Sequence, residues 1–172
     1  MDAPTRTLIP LANVEPAMIE QVLDRAFGKD RLGRTSYRIR EGMDWLPALS
    51  FAALDEDGML AGTIQAWPVA LTDAHGRAHP LIMVGPVAVL PEYQDQGYGR
   101  AMMAALAAGL EPEAPLPQVL IGDTEYYQRF GFSNEYTRGW QCPGPWEPER
   151  LMVRAVHPEM LPKEGMLGPW RP

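Results

Sequence analysis

The sequence predicts a mixed α/β fold, in which helices flank a central mixed sheet of six to seven strands. Short apolar runs bounded by turn residues indicate the strands, and two longer stretches carry apolar residues at helical spacing. At least one strand–helix–strand crossover is predicted, which places helices and strands in one layered structure. The 172 residues fit a single domain, and 46% of them are apolar, which is enough to build a core.

The first half of the chain is predicted to hold one amphipathic helix among three strands. Ile19 and Val22 belong to a stripe of apolar residues spaced for one helix face. Asn13 can cap the start of this helix, and Gly28 can end it. The charged segment 30–44 fits either a short helix or a loop. The predicted strands are 7–12, 49–54 and 60–69, and the turn Asp55-Glu56-Asp57-Gly58 joins the last two as a hairpin.

The second half of the chain is predicted to begin with the buried strand 81–90. Gly85-Pro86 lies inside this strand and predicts an edge or a bulge, since proline cannot donate a hydrogen bond to a sheet. We expect residues 1–157 to form one domain and residues 158–172 to form an extended, proline-rich C-terminal tail. The other predicted elements are a polar connection over 72–80, helices 99–110 and 124–130, and strands 118–122, 136–142 and 150–156.

Charge and cysteine content exclude several classes of protein. The formal net charge of −7 argues against a nucleic-acid-binding protein, which normally carries a basic patch. Cys142 is the one cysteine, so it can form neither an internal disulfide nor a zinc cluster by itself, and it suits a reducing compartment. Met1–Arg6 lacks the apolar stretch of a signal peptide, and no apolar run is long enough to cross a membrane. We therefore expect a cytoplasmic protein with no nucleic-acid or membrane partner.

The segment Leu81–Arg100 carries the pattern of an anion site. It predicts a buried strand, a turn that contains Gly97 and Gly99, and the first turn of a helix. The backbone N–H groups and the dipole at a helix start attract phosphate, and glycine lets a phosphate approach the backbone closely. Arg100 opposes that dipole by about 0.3–1 kcal/mol unless an anion is bound. A tight turn without a ligand is the alternative, and the patterns of nucleotide-triphosphate and dinucleotide loops do not fit.

Two motifs, in this order, resemble those of the GCN5-related N-acetyltransferase (GNAT) family. Gln94-Asp95-Gln96-Gly97-Tyr98-Gly99 is similar to the Arg/Gln-x-x-Gly-x-Gly/Ala signature of the family, and it follows a Val-Ala-Val-Leu-Pro phrase that is typical of it. Further along, Tyr126–Phe132 is similar to the family's Tyr-x-x-x-Gly-Phe element. The order of elements over residues 7–156 also matches. The resemblance therefore implies a GNAT-like acyl-CoA N-acyltransferase fold over residues 1–157.

The resemblance implies that acetyl-CoA is the cosubstrate and that no metal takes part. The backbone of the strand before the glycine turn would pair with the pantetheine arm, in a cleft between the fourth and fifth strands. The turn itself would hold the pyrophosphate through main-chain N–H groups. The cofactor-binding residues implied in this way are Val87, Ala88, Val89, Gln94, Asp95, Gln96, Gly97, Tyr98, Gly99 and Arg100, with Arg129 either a further phosphate contact or a solvated side chain.

Tyr127 matches the residue that the family uses as a general acid. Acetyl transfer to an amine releases a thiolate, and a tyrosine with a pKa of about 10 can protonate this departing sulfur with little mismatch, because a free thiol has a pKa of about 8.5. A core tyrosine packed near Phe130 and Phe132 is the alternative. The attacking amine must also lose a proton, and no pattern favours one base among Glu92, Asp123 and Glu125.

The remaining chemistry-bearing residues favour structural roles. His75 and His79 share a loop in which no carboxylate or cysteine stands at ligand spacing, so we expect a polar loop. Cys142 has no base partner in the sequence pattern and is expected to be inert. Tryptophans near the C-terminal end can line a substrate pocket, form a dimer contact or pack in the core; they are Trp140, Trp146 and Trp170.

The sequence therefore predicts an acetyl-CoA-dependent N-acetyltransferase that moves an acetyl group to a primary amine by direct attack on the thioester. The negative net charge suits a cationic acceptor, and we expect a small molecule rather than a protein. Two alternatives stay open: a non-catalytic acyl-CoA-binding or regulatory module, and an interaction protein that works through its Trp- and Pro-rich end. Analogy with the family allows a homodimer.

Overall fold

The computed structural model describes residues 7–171, so Met1–Arg6, where the sequence predicts no signal peptide, and Pro172 lie outside the described residues. The helices in the described part are α1 (Pro16–Phe27), α2 (Thr35–Ile39), α3 (Tyr98–Gly109) and α4 (Thr124–Gln128). The strands there are β1 (Thr7–Pro10), β2 (Phe51–Leu54), β3 (Leu60–Thr72), β4 (Ala78–Val89), β5 (Gln118–Ile121), β6 (Gly139–Gln141), β7 (Leu151–Arg154) and β8 (Glu164–Pro169).

Hydrogen bonds join the strands into one mixed sheet in the order β1-β2-β3-β4-β5-β7, and β8 pairs with both β3 and β6. β4 runs parallel to β5, and β6 runs parallel to β8. The pairs β1–β2, β2–β3, β3–β8 and β5–β7 are antiparallel. Because α3 lies between β4 and β5 in the chain, this parallel pair is a strand–helix–strand crossover. The predicted mixed α/β class is confirmed.

The chain divides into two compact units, and β3 and β4 each run through both of them. Within the described residues, the first unit comprises residues 7–32, 45–66 and 85–110. In its core, the predicted face of α1 is buried against β2 and the end of β4. The buried residues of this cluster are Leu11, Ile19, Val22, Leu23, Ala52, Ala88 and Leu90.

The two ends of α1 differ in how well the sequence predicts them. The prediction that Asn13 caps α1 is wrong, because Asn13 lies in a short 3-10 turn. The residue before the helix is Glu15, and its side chain makes no capping hydrogen bond. The predicted end at Gly28 is confirmed. Gly28 has a φ of +90°, and its N–H donates to the carbonyl of Asp24 at 2.8 Å.

The second unit comprises residues 33–44, 67–84 and the residues from 111 onward. Its core is a cluster around Trp140, whose indole is 2% exposed and donates to the carbonyl of Pro162 at 2.8 Å. The sequence allowed either a short helix or a loop over residues 30–44. The structure has helix α2 there, and Ile39 of this helix belongs to the core. The cluster also contains Val69, Leu71, Leu81, Met83, Val119, Cys142, Leu151, Val153 and Leu167.

Two segments differ from the elements expected of them. The polar connection over 72–80 is shorter than predicted, because β3 continues to Thr72 and β4 already begins at Ala78. The proline-rich segment after residue 157 contains β8, an extended strand whose Leu167 pairs with Leu71 of β3. With β8, the part of the chain that the structure describes contains eight strands. The domain boundary at residue 157 stays a prediction.

None of the helices within residues 7–171 combines the length and the apolar character that a membrane crossing requires.

Candidate functional site

The glycine turn connects β4 to α3 and lies in the first unit. A short 3-10 turn, Pro91–Tyr93, follows β4, and Gly97 is the residue before α3. Gly97 has a φ of +84° and a ψ of +9°, which is the left-handed conformation. Residues with a Cβ adopt this conformation at a cost, so glycine is favoured at this position. The N–H of Ala101 donates to the carbonyl of Gly97 at 3.0 Å, which begins the hydrogen-bond pattern of α3.

The start of α3 offers backbone donors that the helix itself does not use. The N–H groups of Gly99 and Arg100 fall in the first helical turn, where no carbonyl of the same helix can accept from them. No side chain caps the helix at Gly97. The neighbouring residues Gln94 and Asp95 are exposed, and Asp95 is also left-handed with a φ of +62°. Backbone donors at the positive end of a twelve-residue helix can bind an anion such as a diphosphate.

The side chains of this turn divide into exposed and buried ones. Arg100 is exposed in the first turn of α3, where a cation is unfavourable unless an anion is nearby. Gln96 is exposed, and its side-chain amide donates to the carbonyl of Glu92 at 3.2 Å. Tyr98 is 3% exposed, and its ring meets that of Tyr93 edge-on, with centroids 5.6 Å apart. Tyr98 can therefore contact a ligand through its backbone and not through its ring.

The segment Val87–Val89 ends β4, and β3 pairs with it on one side. The N–H of Leu90 donates to the carbonyl of Ala61 at 2.9 Å, and a Cβ on Gly62 would come within 2.4 Å of the Ala88 carbonyl oxygen. Val87 and Val89 are half-buried, whereas Ala88 is buried. The backbone of Val87–Val89 is thus extended, and β3 already occupies one side of it.

The sequence predicts an edge or a bulge at Gly85-Pro86, within β4. β4 continues through the pair, and Gly85 has a φ of +124°, outside the range that other residues favour. The parallel register between β4 and β5 comes earlier in the strand, where Ile82 pairs with Gln118 and Met83 with Val119. Val87–Val89 lie beyond that registered pairing.

Tyr127 lies on α4 in the second unit, and its ring is fixed by packing. A Cβ on Gly122 would come within 2.5 Å of this ring, so a glycine is required beneath it. The ring also meets those of Phe130 and Phe132, at centroid distances of 6.4 Å and 6.2 Å. The contacts expected of a core tyrosine are therefore present. No hydrogen bond of the Tyr127 hydroxyl is found among residues 7–171.

Burial raises the pKa of the Tyr127 hydroxyl well above its ordinary value, and the neighbouring Tyr126 and Asp123 add to this shift. The hydroxyl is protonated at neutral pH, as an ordinary tyrosine is, and the raised pKa makes it a weaker acid than an ordinary tyrosine. Arg129, further along the same segment, is exposed, with its guanidinium 5.8 Å from the centroid of the Tyr126 ring. That placement fits a solvated arginine as well as a phosphate contact.

The three carboxylates considered as bases have different surroundings. Glu92 accepts two hydrogen bonds from Arg25, at 2.8 Å and 2.9 Å, and its own backbone N–H together with Arg25 lowers its pKa. Asp123 caps α4 by accepting from the N–H of Tyr126 at 2.7 Å. Glu125 is exposed in the first turn of the same helix. A lowered pKa makes Glu92 a weaker base, and the surroundings do not favour either of the other two.

The other polar candidates occupy structural positions. His79 bonds Asp73 through Nε2 at 2.9 Å, and His75 donates its backbone N–H to the same carboxylate. Within the described range, no group of three or more His, Cys, Asp and Glu side chains could hold a metal ion. Cys142 is 6% exposed, and burial raises the pKa of its thiol to about 12. Trp146 packs against the same core as Cys142.

Sequence reasoning missed the residues that fix the backbone leading into the glycine turn. Asp55 accepts a hydrogen bond from the hydroxyl of Tyr93 at 2.7 Å, and Arg25 of α1 holds Glu92. These partners lie 38 and 67 residues apart in the chain, so no local pattern relates them. The sequence offers two weaker indications of these contacts: an aspartate at the first position of a hairpin turn, and a tyrosine beside the glycine motif.

Comparison with known proteins places this chain among acetyltransferases. A family model described as "Acetyltransferase (GNAT) domain" matches residues 47–134, which is just over half of the chain. The relatives include the uncharacterized N-acetyltransferase YhbS of Escherichia coli strain K12. It is 26% identical over 150 residues, which cover 87% of this chain and 86% of the relative.

Two solved structures are similar over nearly the whole chain. The E. coli GNAT family N-acetyltransferase YhbS, solved in complex with CoA, has a TM-score of 0.72 at 22% identity, covering 99% of this chain and 92% of that one. A GNAT family acetyltransferase from Brucella melitensis, solved with acetyl-CoA, has a TM-score of 0.62 at 25% identity, covering 94% and 93%. The first likeness supports the fold, and the match to the family model agrees with the resemblance carried by the two motifs. The chain belongs to the GNAT family of acetyltransferases.

Proposed function

We propose that this protein transfers the acetyl group of acetyl-CoA to a primary amine of a small cationic molecule. The observation that carries the proposal is the uncapped start of α3, where left-handed Gly97 precedes a run of backbone donors. These donors match the negative charge of a diphosphate. Relatives that share this fold were solved with CoA and with acetyl-CoA, which supports the same cosubstrate here.

In this proposal, the backbone from Gln94 to Arg100 binds the diphosphate of acetyl-CoA, and Arg100 adds a charge to it. The backbone of Val87, Ala88 and Val89 pairs with the amides of the pantetheine arm. Side chains supply little of this contact, because Tyr98 is buried and glycine occupies positions 97 and 99. Arg129 is a further contact to phosphate. The cosubstrate is thereby held through backbone groups, which fits a motif defined by glycines.

The chemistry in the proposal is direct transfer. The neutral amine attacks the thioester carbon, the carbon–sulfur bond breaks, and the sulfur takes the proton of the Tyr127 hydroxyl. The amine nitrogen loses one proton to water or to a carboxylate, so the products are an acetamide and a free thiol. Burial raises the pKa of Tyr127, so the tyrosinate that this transfer leaves is a strong base and regains a proton from water, equivalent to the one that the amine releases.

The acceptor in the proposal is a small cationic amine. The support is the formal net charge of −7, which attracts cations over a distance. A cytoplasmic location, where the single cysteine stays reduced, and a homodimer remain predictions. Light scattering on the purified protein tests the second of these.

The test is thiol release from acetyl-CoA in the presence of a panel of amines: a polyamine, an aminoglycoside and a lysine-containing peptide. We expect one of the small amines to be acetylated faster than the peptide, with the product identified by its mass. Cys142 does not interfere with a thiol reagent, because its own thiol is buried with a pKa of about 12. Binding of CoA without acetylation of any amine in the panel would instead support the non-catalytic module.

A further inference from the structure

Two hairpins of this protein contain the same aspartate-based turn. In the β2–β3 hairpin, one carboxylate oxygen of Asp55, Oδ1, accepts from the N–H groups of Asp57 and Met59, at 2.8 Å and 2.9 Å. The Asp55 N–H donates to the carbonyl of Met59 at 2.8 Å, and Gly58 has a φ of +77°. The turn is thus closed by one oxygen of one side chain.

The β3–β4 hairpin repeats this arrangement at Asp73. Its Oδ1 accepts from the N–H groups of His75 and Arg77, at 2.9 Å and 3.0 Å. The Asp73 N–H donates to the carbonyl of Arg77 at 2.9 Å, and Gly76 has a φ of +79°. In both turns Oδ1 accepts the hydrogen bonds that the carboxylate makes to the turn backbone, and the second oxygen, Oδ2, of each aspartate is available for another partner.

The second oxygens have different partners. Oδ2 of Asp73 bonds His79, six residues away in the same hairpin, at 2.9 Å. Oδ2 of Asp55 accepts from the hydroxyl of Tyr93, 38 residues away, at 2.7 Å. Asp55 thus joins its hairpin to the segment that leads into the glycine turn, whereas Asp73 makes only local contacts through its carboxylate.

Tyr93 connects this hydrogen bond to the start of α3. It is the last residue of the 3-10 turn before Gln94, and its ring meets the ring of Tyr98 edge-on at an interplanar angle of 81°. Tyr98 is 3% exposed and is the first residue of α3. The hydrogen bond also changes both acidities in the expected direction, since it lowers the pKa of Asp55 and raises the pKa of Tyr93 to about 12. The Asp55 carboxylate therefore holds Tyr93 before the glycine turn, and the ring of Tyr93 in turn contacts that of Tyr98 after Gly97.

We propose that Asp55 and Tyr93 are positioning residues, which hold the glycine turn in the conformation that binds the diphosphate of acetyl-CoA. This inference rests on the proposed function. Its physical reason is preorganisation: a turn that is already ordered loses less conformational entropy when the ligand binds. Neither side chain needs to touch the cosubstrate. Loss of their hydrogen bond should weaken the diphosphate contact without changing the acid at Tyr127.

The experiment measures binding of CoA and of pantetheine, which lacks the diphosphate, by calorimetry. The variants are Tyr93→Phe, which keeps the ring against Tyr98, and Asp55→Asn, which keeps the turn-closing oxygen but replaces the other with a donor. Asp73→Asn is the matched control, because it makes the same change in the same turn. Thermal unfolding of each variant shows that it is folded.

We expect Tyr93→Phe to raise the Kd for CoA about tenfold, the factor expected for one lost hydrogen bond to a charged group, and Asp55→Asn to raise it by a smaller factor, because the Tyr93 hydroxyl can accept from the new amide. The Kd for pantetheine should stay unchanged, and in the assay KM for acetyl-CoA should rise while kcat at saturation holds. The double variant should bind CoA no more weakly than Tyr93→Phe, because Tyr93→Phe already removes the bond that Asp55→Asn alters. Asp73→Asn should bind CoA as the wild type does.

Two results overturn the inference while the proposed function stands: an unchanged Kd for CoA in Tyr93→Phe, or an equal rise in Asp73→Asn. Equal weakening toward CoA and pantetheine also contradicts it, since the effect would then not concern the diphosphate. A wild-type protein that binds no CoA contradicts the proposed function itself, and the role of Asp55 and Tyr93 with it. The two failures are thereby distinguished.

Discussion

The ring of Tyr127 lies directly against the Cα of Gly122 and between two phenylalanines, so its orientation is set by packing. Packing and catalysis are compatible at this residue, because the ring can be held while the hydroxyl acts. A general acid needs both a fixed position and a proton at neutral pH. A tyrosine holds its proton at neutral pH without help, and burial raises the pKa of the Tyr127 hydroxyl further, which makes it a weaker acid. Replacing the hydroxyl alone therefore separates the two roles.

We expect Tyr127→Phe to lower kcat about a hundredfold or more, because the departing sulfur loses its proton donor. The affinity for CoA should change little, since the ring and its contacts remain. Tyr126→Phe is the matched control: it makes the same change one position earlier on α4 and should retain kcat. Steady-state kinetics on both variants measure this. Equal turnover of Tyr127→Phe and wild type would remove Tyr127 from the reaction.

Among the elements, α3 carries the strongest electrostatic argument. Its first turn contains Arg100 at the positive end of the helix dipole, and the sequence places no acidic residue there to offset it. In the absence of a ligand this arrangement is unfavourable by about 0.3–1 kcal/mol. A bound diphosphate would reverse the sign, because its negative charge would attract both the helix start and the guanidinium.

We expect Arg100→Ala to have opposite effects on stability and on binding. The free protein should become slightly more stable to thermal unfolding, while the Kd for CoA should rise several-fold and depend less on salt. Arg138→Ala removes an equally exposed arginine elsewhere and should change neither the stability nor the Kd by as much. Calorimetry at two salt concentrations measures the Kd for CoA and its dependence on salt, and a thermal melt measures the stability. A loss of stability in Arg100→Ala, or unchanged CoA binding, would contradict this account.

For the whole molecule, the two hairpin aspartates predict loss of stability in acid. A hydrogen bond from His79 and one from the Arg77 N–H lower the pKa of Asp73 from 3.8 to about 2, and the Tyr93 hydroxyl lowers that of Asp55. Each of these carboxylates has a lower pKa in the folded protein than in the unfolded chain. The stability that it contributes is therefore fully present above the pKa of the unfolded chain, and it is lost as the pH falls through the pKa of the folded protein. Stability should therefore fall between about pH 4 and pH 2.

Thermal melts across that pH interval measure the effect. Asp73→Asn cannot titrate, so its Tm should fall less steeply with decreasing pH than that of the wild type. Asp57→Asn, at an exposed position of the other hairpin, is the control and should keep the wild-type slope. Identical slopes for Asp73→Asn and wild type would show that this carboxylate is not part of the acid response.

How much of the fold the sequence predicts depends on the range of the interactions involved. The helix that ends at Gly28 and the hairpin at Asp55 follow from local patterns, and both are present. β8 could not be predicted in this way, because its two glycines and its proline disfavour a strand and its pairing with β3 supplies the order. The turn at Asp73 had the same signal as that at Asp55, an aspartate three positions before a glycine, and was expected only as a polar connection.

In the candidate site, too, local features can be predicted from the sequence and long-range contacts cannot. Gly97 could be predicted to lie in the turn before the helix because backbone conformation is a local property, and its left-handed φ agrees with a turn. The bond between Asp55 and Tyr93 could not be predicted, since it depends on two distant segments meeting in the folded chain. Local patterns locate the residues whose backbone would bind acetyl-CoA, whereas the contacts that hold that backbone in place require the structure.

Calorimetric titration of the wild-type protein with CoA, and separately with pantetheine, is the most direct test of backbone binding to the diphosphate. Each charge-assisted hydrogen bond to a phosphate contributes about 1.5–3 kcal/mol, so we expect saturable CoA binding at least about a hundredfold tighter than that of pantetheine. No saturation with CoA, or equal affinity for the two compounds, would contradict a diphosphate site at the start of α3.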